Sequence, residues 1–130
     1  MMVLAMSKGG VFRALIPTHE PGGLNAKVYP HWKDAPVFTQ VVFNHGGVRE
    51  VRIHKLTSDE LIINIVRREG INYVIAQSLS IRAIELLEKL GVKVILGNVA
   101  TVADAISKFM EGKLYLVKLS KEPYRGVAKG

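Results

Sequence analysis

Hydrophobic positions follow a strand-like pattern in the first half of the chain and a helical one in much of the second. Val11-Phe12-Arg13-Ala14-Leu15-Ile16 is a short apolar run halted at Pro17, the pattern of a buried strand. After a long loop to about Ala35, Val37-Phe38-Thr39-Gln40-Val41-Val42-Phe43 is β-branched and aromatic and predicts a second strand. Asn44-His45-Gly46-Gly47 supplies a turn, because Asn and Gly accept positive φ cheaply. Val48, Val51 and Ile53, set among Arg49, Glu50, Arg52 and His54, read as a third strand that closes a hairpin.

The period then lengthens. Ser58 is a suitable N-cap, and Asp59 and Glu60 suit the positive end of a helix dipole. Leu61, Ile62, Ile65 and Val66 recur at helical spacing until Gly70. Ile71–Ala76 predicts a strand. Ser80 caps a second helix with Ile81, Ile84, Leu87 and Leu90 or their neighbours inward, and Gly91 ends it. Val92–Leu96 is the last strong strand. Thr101 caps a third helix carrying Val102, Ala105, Ile106 and Phe109, and Gly112 ends that one. The order predicts an α/β fold: a five-stranded mixed sheet, an antiparallel meander followed by βαβ, with three helices on its faces. Leu114–Leu119 alternates apolar and polar and offers one further, irregular strand.

Length and composition bound this picture. A chain of 130 residues is one domain by size and long enough to bury a core without staples. The domain is expected over residues 11–114, after a loose leader at 1–10 and before a basic tail at 115–130. Without cysteine, the chain alone makes no disulfide and no thiolate-held zinc or iron–sulfur site. No apolar run approaches membrane-spanning length, and the N-terminus lacks a signal-peptide pattern, so a soluble cytoplasmic protein with no membrane partner is expected. Of the formal net charge of +7, residues 113–130 carry a large part, through Lys113, Lys118, Lys121, Arg125 and Lys129 against Glu122. Such a tail either solubilises the chain or attracts a nucleic acid or an acidic protein.

Candidate chemistry gathers in two places. Pro30 and Pro36 brace a loop that carries His31, Trp32 and Lys33. A neutral imidazole is a metal ligand, although its ring nitrogens can equally tie a loop to its own backbone. Trp32 either covers a ligand or anchors the loop on the sheet. Lys33 favours an anionic guest or is simply solvated. Gln77, Ser78 and Ser80 follow a strand and open a helix, at the carboxyl ends of the strands where open α/β sheets bind ligands. Ser80 capping alone is the competing explanation. His19 and Glu20 could join His31 if the first loop folds back, while His45 and His54 receive no role. No catalytic motif is present, and Val11–Ile16 has no carboxylate for two-metal phosphoryl chemistry. A non-enzymatic domain is expected, with self-association through an exposed sheet edge as a further option.

From Val11 to Leu114 the chain resembles the dinitrogenase iron–molybdenum cofactor biosynthesis family. The resemblance rests on Pro17-Thr18 and on Gly23-Leu24-Asn25-Ala26-Lys27-Val28-Tyr29-Pro30-His31-Trp32-Lys33-Asp34-Ala35-Pro36-Val37-Phe38. Arg82-Ala83, Leu87, Gly91-Val92-Lys93-Val94, Gly97, Thr101-Val102, Ala105 and Gly112-Lys113-Leu114 add to it. It implies a ribonuclease H-like fold and a carrier that transiently holds a metal–sulfur cluster, of iron–sulfur or iron–molybdenum type, or a related anionic cofactor. It implies His31 as the metal ligand, with Trp32, Lys33, Gln77, Ser78 and Ser80 around the cofactor, and a cofactor donor or acceptor protein as partner. The sequence departs from the family at Trp32-Lys33, where Phe-Gly is usual. It departs again at Gln77-Ser78-Leu79-Ser80, where a glycine-rich turn is usual.

Overall fold

The structure, a computed structural model, describes residues 10–56 and 62–119. The expected leader up to residue 9, the Ser58 cap with Asp59, Glu60 and Leu61, and the tail from residue 120 lie outside the described residues.

Strand β1 (Phe12–Thr18) sits mid-sheet, between β2 (Val37–Asn44) and β4 (Tyr73–Ala76). With β3 (Gly47–Lys55), β5 (Lys93–Leu96) and β6 (Tyr115–Val117) the order across the sheet is β3-β2-β1-β4-β5-β6. The β1–β4 and β4–β5 pairs are parallel and the others antiparallel. The sheet is therefore mixed, as expected, but it has six strands rather than five. The additional strand is the alternating stretch after Leu114, where Val117 lies opposite Val94 and Leu116 opposite Ile95.

Pro17 does not end β1, which continues to Thr18. The amide and carbonyl of one strand residue point to the same side, and the Pro17 carbonyl accepts from Tyr29 N at 2.8 Å. The missing Pro17 N–H therefore faces the loop side, past Leu15 where the β4 ladder stops, and no ladder bond is lost.

Helix α3 (Val102–Met110) covers one face, and α1 (Ile62–Glu69) and α2 (Ile81–Lys89) cover the other. Val102, Ala105, Ile106 and Phe109 are all buried, as their spacing predicts. Phe109 packs edge-on against Phe12, Phe43 and Tyr73, with ring centroids 5.1–5.4 Å apart. On the opposite face Ile65, Val66, Ile84 and Leu87 pack with Leu15, Phe38, Val74 and Val94. Ile81 departs from expectation: it is 65% exposed, because each step of three residues precesses about 60° around a 3.6-residue helix and so carries Ile81 off the face of Ile84 and Leu87. No helix among the described residues is long and apolar enough to cross a membrane.

Candidate functional site at the strand tips

The strand tips are shaped by the β1–β2 loop (19–36), the β4–α2 turn (77–80) and the β5–α3 turn (97–101). The first half of the long loop is fastened down. At Gly22, with φ +83°, a Cβ would stand 2.8 Å from Ile53 Cδ1 and 3.1 Å from Thr39 Oγ1. Only glycine combines that backbone with so close an approach. Gly23 N donates to the same Thr39 hydroxyl, which also bonds the buried Thr18 hydroxyl at 3.0 Å.

The loop then clasps the start of α3. Val28 N donates to Ala100 O, while Val102 N and Ala103 N donate to Ala26 O and Leu24 O at 3.0 and 2.8 Å. Thr101 Oγ1 accepts from Asp104 N, and the Asp104 carboxylate accepts from Ala100 N at 2.8 Å. This is a variant of the capping box. The Ala100 bond is the main cause that holds the Asp104 carboxyl below the usual carboxylate range; desolvation opposes it, and Lys108 adds a lesser lowering. The first amides of α3 are thus occupied by the protein itself.

Helix α2 begins differently. Ser80 Oγ accepts from Ala83 N at 3.1 Å, which confirms the cap. The amides of Ile81 and Arg82 find no acceptor among the described residues. Arg82 is exposed in this first turn and joins no ion pair among them. A cation there opposes the helix dipole unless an anion sits nearby. In the sequence, the only sign of a site role for Arg82 is its position two residues after the cap.

The second half of the loop reaches this open helix start. Ser78 Oγ donates to Pro30 O at 3.4 Å, which brings the His31 loop against the β4–α2 turn. His31 precedes a single 3-10 turn, Trp32–Asp34, and its carbonyl accepts from Asp34 N. Its ring is exposed and bonds none of the described residues, so it does not tie the loop together. Trp32 is the anchor: half-buried, it stands edge-on to Phe38 with centroids 5.2 Å apart. Lys33 is exposed. The Gln77 side chain donates to Val99 O at 2.8 Å and joins the two turns, so that donor serves the scaffold. The Pro30 contact at Ser78 thus brings the loop that carries His31 to the turn that leads into Ser80 and Arg82. His19 instead packs at a tilt against Tyr29, and Glu20 pairs with Lys55 at 3.6 Å.

The donor set limits what can bind. No cluster of three or more His, Asp or Glu side chains able to hold a metal occurs among the described residues. The chain has no cysteine. One free imidazole fits a single end-on bond to a metal already housed in a larger anionic body, and does not fit a caged mononuclear ion.

The dinitrogenase iron–molybdenum cofactor family model matches residues 13–112. The uncharacterized protein MJ0580 of Methanocaldococcus jannaschii is 27% identical over 101 residues, covering 69% of this chain and 82% of that protein. The crystal structure of PH0822 superposes with a TM-score of 0.68 at 25% identity, over 82% of this chain and 96% of that one. A candidate NifB protein from Thermotoga gives 0.65 at 25% identity, over 85% and 98%. The chain belongs to the dinitrogenase iron–molybdenum cofactor family.

Proposed function

We propose that this domain is a non-catalytic carrier. It takes up a metal–sulfur cluster or a related anionic cofactor of the iron–molybdenum type as transient cargo and passes it to a partner protein. The Ser78–Pro30 contact supports this reading, because it holds the residue before His31 against the turn that leads into the unbonded start of α2. Imidazole supplies one soft bond, while the amides of Ile81 and Arg82, with the Arg82 and Lys33 charges, supply the field an anion requires. Without thiolates the grip is weak, which suits a carrier. The strand order β3-β2-β1-β4-β5 also accords with the ribonuclease H-like architecture that the resemblance implies.

Anaerobic incubation with ferrous iron, sulfide and a thiol reductant, followed by desalting, tests the proposal. The wild-type protein should retain visible absorbance and iron. His31→Ala should lose most of both while keeping its melting temperature, because an exposed side chain without bonds contributes less than about 0.5 kcal/mol to stability. Equal retention by the variant would remove His31 from the site.

A further inference from the structure

The two edges of the sheet are unlike. β6 has three residues, whereas β3 has nine and is paired on only one side among the described residues. On the α3 side of the sheet, β3 presents Val48, Val51 and Ile53, each 37–41% exposed. The register break at Val42/Phe43 keeps them in phase: Val48 lies opposite Phe43 and Val51 opposite Val41, both on that face. Glu50 and Arg52 occupy the other face and already pair with one another at 2.7 Å, both well exposed.

The geometry points to a second copy of this chain as the occupant of this edge, with β3 pairing antiparallel to β3 about a two-fold axis at Val51. Residues opposite one another across an antiparallel pair share a face, so their charges meet directly. Centred on Val51, each copy's Glu50 faces the other's Arg52, and Val51 meets its own counterpart. Centred on Glu50 the register opposes two glutamates, and centred on Arg52 it opposes two arginines. Centred on Ile53 it sets Arg52 against His54. The charge pattern thus selects one register. A contact one strand wide is small, so the dimer is weak and forms with rising concentration. This inference does not depend on the cleft at the strand tips.

Sedimentation of the full chain over a concentration series tests it. The wild-type protein should show a monomer–dimer equilibrium. Glu50→Arg should weaken it about tenfold by turning two attractive pairs repulsive. Arg52→Glu should do the same, and an equimolar mixture of the two variants should dimerise again, because paired arginines then face paired glutamates. Circular dichroism checks folding. Should Arg52→Glu misfold beside Glu69, Val51→Lys takes its place and should abolish the dimer. A wild-type protein that stays monomeric at its highest soluble concentration overturns the inference. So does a dimer indifferent to Glu50→Arg.

Discussion

Two helices, α2 and α3, start at the same end of the sheet, and their first turns are finished in opposite ways. At α3, carbonyls of Leu24 and Ala26 take the Ala103 and Val102 amides, Thr101 takes the Asp104 amide, and the Asp104 carboxylate returns to Ala100. At α2, Ser80 takes one amide and leaves those of Ile81 and Arg82 without a described partner. One loop serves both ends: residues 24–28 close the α3 start, and Pro30, just before His31, meets Ser78 just ahead of the α2 start. Each helix opens on a hydroxyl cap, but α3 carries Asp104 three residues on where α2 carries Ala83, so one start is a structural joint and the other a candidate binding surface. That local difference and the loop contacts together decide which.

The contrast can be broken at its base. Phe109→Ala removes the ring that seats α3 on Phe12, Phe43 and Tyr73, and should cost about 3–5 kcal/mol in denaturant unfolding. A loss below 1 kcal/mol would mean that the aromatic cluster does not hold α3.

The caps give a finer test. Thr101→Ala and Ser80→Ala should each lose about 1 kcal/mol of stability. Cargo retention should persist in Thr101→Ala. It should also persist in Ser80→Ala, where a third amide is freed for the guest. Loss of retention in Ser80→Ala alone, with the fold intact, would make the hydroxyl a ligand rather than a cap.

The smallest effect is one of pH. The lowered Asp104 carboxyl adds stability that is present above its ordinary titration range and is lost as pH falls through its lowered folded value. Asp104→Asn should therefore melt below the wild-type protein at neutral pH, and the gap should close on acidification. A gap that widens in acid would contradict the capping assignment.

Much of the architecture was legible because it is local and periodic. The spacing of Val102, Ala105, Ile106 and Phe109 fixes the buried face of α3, and Thr101 and Ser80 announce their helix starts. Pro17 was misleading because its ring forbids a donor, not a strand, and only the position of Tyr29 shows that no donor was needed. The sixth strand was visible as alternation after Leu114, but its pairing with β5 is a long-range matter. Ile81 is spaced by three from Ile84, yet that step turns it off the face that Ile84 and Leu87 bury. At the candidate site, His31 and Ser80 were readable from motif and cap. The hydrogen bond of Gln77 to Val99, and the capture of α3 amides by Leu24 and Ala26, join residues remote in sequence and leave no local trace.

Hydrogen–deuterium exchange at four amides tests the contrast most directly. In the free protein, Val102 and Ala103 should exchange slowly and Ile81 and Arg82 quickly. After anaerobic cluster loading, Ile81 and Arg82 should slow while Val102 and Ala103 stay as they were. If Ile81 and Arg82 are already protected before loading, or still exchange freely in the loaded protein, the open start of α2 is not where the cargo sits.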